Sequence, residues 1–194
     1  MGRLIVEQIV SADGYAADAD GGIGFFEVSP EVAGDAATGA GPIDREQLAW
    51  LEGVDAILLG RNTYRMFADY WPDADPAVDP VAEPIARLPK HVVSNTLERA
   101  PWGDGEIEVL RGDAAASVAR LKQRFEATVV WGSLLLADAL FEAGLVDELR
   151  LRIVPVLIGA GRSFTPAGLG QRPLALDHAV TYPSGHVSLH YRLR

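Results

Sequence analysis

One short segment restricts the fold of this chain more than any other: a β-rich apolar run passes through a Gly-Ser pair directly into a helical pattern. Residues 128–131 form the apolar run, whose length and composition predict a buried strand. Leu134 begins an apolar helical pattern that stops near Gly144, where a glycine is expected at a helix end. The segment therefore predicts a strand, a tight turn at Gly132 and Ser133, and a helix.

The turn in this segment has two interpretations. A helix that starts directly after a glycine turn presents free backbone N–H groups and a positive dipole end, which attract phosphate. Alternatively, Ser133 is an ordinary helix cap. A second copy favours phosphate, because residues 55–65 again join an apolar strand, Gly60 and a helix start, and add the phosphate-suited guanidinium of Arg61. Two such turns suggest a dinucleotide laid across the edge of a sheet.

The remaining elements alternate strands with helices and then end in consecutive strands. Asp44 is the predicted cap of a short helix, and residues 15–42 are predicted to form a long loop. The predicted strands are 4–10, 54–59, 90–94, 106–110, 128–131, 148–158, 174–182 and 187–193, with further helices over 63–70 and 83–88 and after Asp113. This order predicts a single α/β domain over residues 1–194, with a mostly parallel central sheet flanked by helices and an antiparallel C-terminal hairpin.

Composition excludes several classes of function. The net charge of −10 and the lack of a basic run argue against nucleic-acid binding. The absence of cysteine removes disulfides, iron–sulfur clusters, a cysteine nucleophile and thiolate zinc sites. His91, His178, His186 and His190 share no ligand spacing, so no metal site is predicted. No apolar segment reaches membrane-spanning length and the N-terminus lacks a signal-peptide pattern, so we expect a cytoplasmic protein without a membrane partner.

Several motifs together resemble a known family. They are SADGY at 11–15, LLGRNTY at 58–64, HVVSNT at 91–96, VWGS at 130–133, GLVDELRL at 144–151 and PVLIGAG at 155–161. In this order they are similar to the dihydrofolate reductase-like superfamily, and specifically to the C-terminal reductase domain of bacterial riboflavin biosynthesis and its stand-alone relatives. The chain departs from that pattern at Trp131, where many members have glycine. It also lacks the H-x-E and P-C-x-x-C motifs of the fused zinc deaminase, so only the reductase half is expected.

The resemblance implies NADPH as the cofactor and assigns residues to it. It implies that the cofactor phosphates contact Gly60, Arg61, Asn62 and Thr63, and that the pyrophosphate lies in a cradle of Gly132, Ser133, Leu134 and Leu135. It also implies that the adenosine 2′-phosphate lies near Ser94, Asn95 and Thr96. The nicotinamide side would be lined by Val10, Ser11 and Ala12. At the turns after Gly60 and Gly132, the helix-start physics and the resemblance agree on where the phosphates bind.

Two carboxylates are candidate catalytic proton donors. Asp13 is the acid nearest the implied nicotinamide, and a turn aspartate that bonds its own backbone is the alternative. Asp44 lies in the region of the first helix where folate reductases place a carboxylate that supports pterin protonation, and a simple helix cap is its alternative. Glu46 and Gln47 share this region, so which of these side chains faces the pocket is left open.

These observations favour an NADPH-dependent reductase that transfers hydride to a C=N or C=O of a flat heterocycle. A riboflavin-pathway-like substrate, of the 5-amino-6-(5-phosphoribosylamino)uracil reductase type, competes with a pterin- or folate-like one, because a fold cannot choose between them. The alternative from another class is a nucleotide-binding sensor without turnover. We also predict a homodimer, because the apolar faces of strand 148–158 and of the hairpin exceed what the few helices cover, and because the related reductase domains are dimers.

Overall fold

The computed structural model describes residues 1–27 and 42–194. Its strands are β1 (Arg3–Ser11), β2 (Tyr15–Ala17), β3 (Ala56–Gly60), β4 (Lys90–Val93), β5 (Pro101–Trp102), β6 (Gly105–Glu106), β7 (Glu108–Leu110), β8 (Ala127–Trp131), β9 (Glu148–Val154), β10 (Arg162–Ser163), β11 (Leu174–Thr181) and β12 (Val187–Leu193). Its helices are α1 (Pro42–Leu51), α2 (Arg61–Tyr70), α3 (Ala82–Arg87), α4 (Ala114–Leu121) and α5 (Leu134–Glu142). Each predicted strand and helix is present, with shifted ends.

The large sheet has 8 strands in the order β11-β12-β9-β1-β8-β3-β4-β7. All neighbours from β9 to β7 run parallel. The hairpin of β11 and β12 joins antiparallel to β9. Every residue of the central strand β8 is buried, as expected when helices cover both faces of a parallel sheet. The predicted fold class, a mostly parallel α/β sheet with an antiparallel C-terminal hairpin, is confirmed.

Helices cover both faces of this sheet and create two apolar cores. On one face, Val118 of α4 and Leu140 of α5 pack against the strands. On the other face, Leu51 of α1, Tyr64 of α2 and Ile85 of α3 do so. Successive residues of each strand point to opposite faces, so one strand serves both cores. None of the described helices is both long enough and apolar enough to cross a membrane.

Two predicted boundaries are wrong for identifiable reasons. Helix α1 begins at Pro42, a residue that suits the first helical position, so Asp44 lies inside the first turn instead of capping it. Strand β9 ends at Val154, earlier than predicted, because Pro155 has no N–H to donate to a ladder. The predicted cap of α4 is confirmed, since Asp113 Oδ1 accepts a hydrogen bond from a backbone N–H of the first turn at 2.7 Å.

The segment predicted as a long loop contains some regular structure. β2 lies within it and pairs antiparallel with β10. A 3₁₀ turn, Gly24–Glu27, follows. Gly161 lies beside this pair, and a Cβ at that position would come within 2.1 Å of the Ala17 carbonyl oxygen, so only glycine fits there. The rest of the predicted loop, residues 28–41, lies outside the described residues.

Leucines on opposite sides of α5 test this packing. Leu140 is 0% exposed in the core, whereas Leu135 is 78% exposed. Leu140→Ala should lower the free energy of unfolding by about 2–5 kcal/mol, because it leaves a cavity in a close-packed core. Leu135→Ala is the matched control and should change it by no more than about 0.5 kcal/mol. Urea unfolding would measure both, and equal losses in the two variants would contradict this placement of the helix.

Candidate active site

A cavity of about 720 Å³ opens at the C-terminal ends of the parallel strands. Its walls are residues 7–9 of β1 and the segments that follow β3, β4 and β8. An aromatic wall is added by Phe67 of α2, by Trp71 directly after α2 and by Trp131 of β8. The Phe67 ring centroid lies 5.9 Å from each of the other two. Ligands of open α/β sheets bind at this edge, so the cavity is the candidate site.

Helices α2 and α5 both begin at this cavity. Gly60 precedes α2 and Ser133 precedes α5, and within the described residues neither of these N-cap positions supplies a side-chain hydrogen bond to the first N–H groups of its helix. Uncapped N–H groups at the positive end of a helix dipole attract anions. The alternative in which Ser133 is an ordinary side-chain cap is therefore wrong, and both turns keep the geometry of a phosphate site.

The Ser133 side chain instead joins the two turns. Its Oγ accepts a hydrogen bond from Gly60 N at 2.8 Å and donates one to Trp131 O at 2.7 Å. Ser133 N donates to Thr63 Oγ1 at 2.9 Å. Gly132 has φ of +51°, and a Cβ there would lie 3.3 Å from Thr63 Oγ1, so glycine allows the close approach. Two turns that are 70 residues apart in the chain therefore form one unit.

Most residues predicted to hold the cofactor meet in this cavity. Those that line it are Gly60, Arg61, Asn62, Thr63, Ser94, Asn95, Thr96, Gly132, Ser133, Leu134 and Leu135. Val10 and Ala12 do not line it. Val10 points into the core on the other face of the sheet, and Ala12 N donates to Val156 O beyond the end of β1. The first two strands instead contribute Gln8, Ile9, Ala16 and Ala17.

Arg61 marks one end of the cavity. Its exposed guanidinium donates from Nη1 to Thr96 Oγ1 at 2.8 Å. The loop that carries Thr96 is held by Asn95, whose Oδ1 accepts a hydrogen bond from Gly112 N at 2.7 Å. A shallower cavity of about 600 Å³ continues from Arg61 past Ser94 and Gly112. The two cavities together offer an elongated site that runs along the edge of the sheet.

The two candidate acids have different surroundings. The Asp13 carboxylate accepts hydrogen bonds from Ser11 Oγ at 2.6 Å and Gly159 N at 2.8 Å, and it does not line the cavity. The Ser11 hydrogen bond, supported by Gly159, holds the pKa of Asp13 below its usual range. These contacts match the turn-aspartate alternative, because a carboxylate that stays ionised cannot donate a proton. Asp44 does line the cavity, from the first turn of α1.

A buried polar network next to the cavity was not predicted from the sequence. Glu7 of β1 is 3% exposed and lines the cavity. Its Oε2 accepts hydrogen bonds from Trp131 Nε1 at 2.8 Å and Gln47 Nε2 at 3.3 Å. Its Oε1 lies 2.9 Å from Arg150 Nη1, on the neighbouring strand β9. Three donors therefore satisfy the hydrogen-bonding capacity of this buried carboxylate.

Arg150 connects this network to α1 and to the C-terminal hairpin. It is 1% exposed, it pairs with Glu46, and its Nε donates to His190 Nε2 at 3.1 Å. Tyr182 OH donates to Glu46 Oε2 at 3.0 Å. The guanidinium also lies over the Trp50 ring, 4.3 Å from its centroid. These contacts hold α1 against the sheet, with its first turns facing the cavity.

Two histidines without shared sequence spacing are neighbours in the structure. His178 and His190 stack with ring centroids 3.9 Å apart and planes inclined by 23°. Their ligand atoms and one of Glu46 lie within 4.8 Å of one another. Nearly parallel rings do not aim their lone pairs at one point, and Arg150 already donates to His190 and adds a positive charge. The cluster is therefore a poor cation site.

The chain matches the family model described as the RibD C-terminal domain over residues 3–188. The chain belongs to the RibD C-terminal domain family. A relative in the same size range is the uncharacterized protein YyaP of Bacillus subtilis (strain 168), which is 24% identical over 192 residues that cover 97% of this chain and 94% of YyaP. The resemblance seen in the sequence motifs is confirmed, and membership supports a reductase of the riboflavin-pathway type at the level of the family.

Solved structures share the fold of this RibD-type domain. A protein attributed to riboflavin biosynthesis from Shewanella sp. PV-4 has a TM-score of 0.77 at 22% identity, with 99% of both chains covered. A dihydrofolate reductase from Enterococcus faecalis, complexed with NADP(H), has a TM-score of 0.60 at 11% identity, with 100% of this chain and 97% of that chain covered. At these identities the likeness shows the fold alone, and it confirms the predicted dihydrofolate reductase-like architecture.

The Glu46 carboxylate makes stability depend on pH. Burial would raise its pKa, but the hydrogen bond to His190, the charge of Arg150 and the hydrogen bond from Tyr182 lower it from 4.5 to about 2. A carboxylate with a lowered folded-state pKa stabilises the fold above its unfolded pKa, and this contribution is lost as pH falls through the folded one. The free energy of unfolding should therefore fall between pH of about 4.5 and about 2.

Glu46→Gln should flatten this fall, because the glutamine does not titrate. Urea unfolding of both proteins at a series of pH values through this window would measure the difference. Glu52→Gln, at an exposed position directly after helix α1, is the matched control and should keep the wild-type slope. Identical slopes in wild type and Glu46→Gln would mean that Glu46 does not carry the pH dependence.

Proposed function

We propose that this RibD-type domain is an NADPH-dependent reductase that transfers hydride to a C=N or C=O of a flat pyrimidine- or pterin-like heterocycle. The observation that carries the proposal is the joined pair of turns at Gly60 and Ser133, where two uncapped helices begin at one cavity. One such helix start is common, whereas two joined starts at the end of parallel strands suit a ligand with two phosphates.

The residues present fit the cofactor. The N–H groups at the starts of α2 and α5 would bind its pyrophosphate. Arg61 with Ser94 and Thr96 would bind the 2′-phosphate, because these side chains group at the end of the cavity where a guanidinium is exposed. Bound NADPH supplies the hydride, and the protein's task is to position it and to exclude water.

The other end of the cavity would hold the substrate. Phe67, Trp71 and Trp131 offer flat apolar surface to a conjugated ring. Asp44 is the proposed acid there, because it lines the cavity while Asp13 is held by Ser11 and Gly159 outside it. Its role would be to hydrogen-bond the ring or to deliver a proton to the atom next to the one that receives hydride.

An NADPH titration with an Arg61 variant tests the cofactor proposal. Arg61→Ala should weaken NADPH binding by about 1.5–3 kcal/mol, the range for a hydrogen bond to a charged group, which is about tenfold to a hundredfold in Kd. The loss should shrink at high salt. The melting temperature of the free protein should barely change, because Arg61 is exposed.

Arg172→Ala, another exposed arginine, is the matched control and should bind NADPH like the wild type. Unchanged NADPH affinity in Arg61→Ala would mean that the cofactor is placed wrongly. NADPH consumption with pyrimidine and pterin substrates would then separate a reductase from the alternative sensor, because a sensor binds NADPH without oxidising it.

The predicted homodimer is part of this proposal. β11 is an edge strand that exposes Leu174 and Leu176, and an unpaired edge strand is a template for a second chain. Sedimentation at micromolar concentration should give a species of about twice the chain mass of 20.8 kDa. A single species at the chain mass would contradict the dimer.

A further inference from the structure

Arg162 lies on the wall of the cavity and is held there by several contacts. It is the first residue of β10, opposite Ala17 of β2, and both residues line the cavity. Its Nη1 donates to Ser163 O at 2.8 Å and to Thr165 O at 3.2 Å, and its Nη2 pairs with Asp138 of α5. A long arginine side chain otherwise samples many rotamers, so these contacts fix a cation at the cavity in advance.

The partner of Arg162 occupies an unfavourable place for a carboxylate. The Asp138 side chain is only 17% exposed, and among the described residues its Oδ1 is buried without a hydrogen-bond partner. Burial raises the pKa of Asp138, against the lowering effect of the Arg162 charge. A buried ion pair contributes little to stability, and two apolar side chains would hold β10 against α5 equally well. The pair is therefore better explained by the cation that it places at the cavity.

The backbone that carries Arg162 is fixed as well. The Asp13 carboxylate accepts a hydrogen bond from Gly159 N at 2.8 Å, three residues before Arg162. Gly161 packs directly against the Ala17 carbonyl oxygen, where no Cβ would fit. These contacts tie the approach to β10 to the segment that follows β1. Arg162 therefore cannot leave the cavity wall without breaking contacts at both Asp13 and Asp138.

Asp138 holds the guanidinium beside the start of α5. It follows Leu134, the first residue of that helix, by four positions, which is about 6 Å along the axis. Helical side chains lean toward the N-terminus, so Asp138 directs its partner back toward the first turn. Leu134 and Leu135 of that turn line the same cavity as Arg162. The first N–H groups of α5 and the guanidinium therefore lie at one part of the cavity.

The charge of the cavity wall also favours an anionic ligand. Its described lining residues include three positive and two negative side chains, a formal charge of +1 in a chain whose net charge is −10. They are Arg61, Arg152 and Arg162, against Glu7 and Asp44. In the sheet, β8, which leads into α5, lies between β1 and β3. Arg61 follows β3 and Arg162 pairs with the strand after β1, so the two cations flank the start of α5.

We propose that Arg162 is a further cofactor-binding residue that contacts the pyrophosphate of the dinucleotide, and that Asp138 positions its guanidinium. The inference rests on the proposed function for the identity of the ligand. A guanidinium matches phosphate oxygens through two parallel hydrogen bonds. Arg61 then binds the 2′-phosphate on one side of the start of α5, and Arg162 binds the pyrophosphate from the other side.

Two fragments of the cofactor distinguish the two arginines. ADP carries a pyrophosphate without a 2′-phosphate, and adenosine 2′-monophosphate carries a 2′-phosphate without a pyrophosphate. In calorimetric titrations, Arg162→Gln should weaken ADP binding about tenfold or more, as expected for a lost hydrogen bond to a charged group. It should leave adenosine 2′-monophosphate unchanged, whereas Arg61→Ala should weaken adenosine 2′-monophosphate and leave ADP nearly unchanged.

Two further variants keep this test decisive. Arg192→Gln removes an arginine that pairs with Asp177 away from the cavity, so it is the matched control and should bind both fragments as the wild type does. Arg162→Lys retains the charge beside Asp138 but not the fork of donors, so it should also weaken ADP alone, even if Arg162→Gln does not fold. Unchanged ADP affinity in Arg162→Lys and Arg162→Gln, or an equal loss of both fragments, would overturn the proposal.

Asp138→Asn tests the positioning role. It should weaken ADP binding by about twofold to tenfold, the equivalent of one ordinary hydrogen bond, and leave adenosine 2′-monophosphate unchanged. In the Arg162→Gln background the same change should have no further effect, because Asp138 acts only through Arg162. An aspartate with a merely structural role would weaken both fragments and would do so in either background, and that result would contradict the positioning role.

The readouts separate this proposal from the proposed function. If ADP binding depends on Arg162 but no pyrimidine or pterin substrate oxidises NADPH, the Arg162 assignment stands and the reductase fails. If NADPH is oxidised while ADP and NADPH bind to Arg162→Gln as to the wild type, the Arg162 assignment fails alone. A wild type that binds neither ADP nor NADPH contradicts both.

Discussion

Removing the Arg150 guanidinium from water costs roughly several kcal/mol, and only partners of good geometry offset that cost. Glu7, Glu46 and His190 provide them, from β1, α1 and β12. If Glu7 were truncated, a buried guanidinium would lose a partner that it cannot replace with water. The position of α1 on the sheet, and with it the position of Asp44 at the cavity, depends on this charge cluster.

A second set of contacts, made by Ser133, fixes the proposed phosphate end of the cavity, as the contacts of Arg150 fix the proposed substrate end. Ser133 bonds to Gly60 and Thr63, so the two helix starts cannot separate without breaking hydrogen bonds at both turns. Trp131 belongs to both sets, because its carbonyl accepts from Ser133 and its indole donates to Glu7. One strand end therefore couples the proposed phosphate end of the cavity to the proposed substrate end.

Local sequence patterns were sufficient to predict most of the strands, helices and turns of this molecule. The pattern of residues 128–144 predicted a strand, a turn and a helix, because hydrophobic periodicity, a turn glycine and a helix-start pattern are all signals between residues close in sequence. The same holds for Asp113, whose cap involves only its own helix. Prediction failed where a side chain's direction depends on strand phase: Val10 was expected at the cofactor and points into the core instead. At Ser133 the local pattern left a side-chain cap open as an alternative, and the structure shows that the side chain bonds across the fold instead.

The sequence by itself determined the alternation of strands and helices, the two glycine turns and the family of the chain, because short stretches of contiguous residues carry each of these signals. Only the tertiary structure decided that Glu7 meets Arg150 and that Asp44 rather than Asp13 lines the cavity. Glu7 and Arg150 are 143 positions apart by their residue numbers, 7 and 150. Periodicity tells which face of a strand a residue occupies but not which strand lies beside it, and a buried charge is defined by that neighbour.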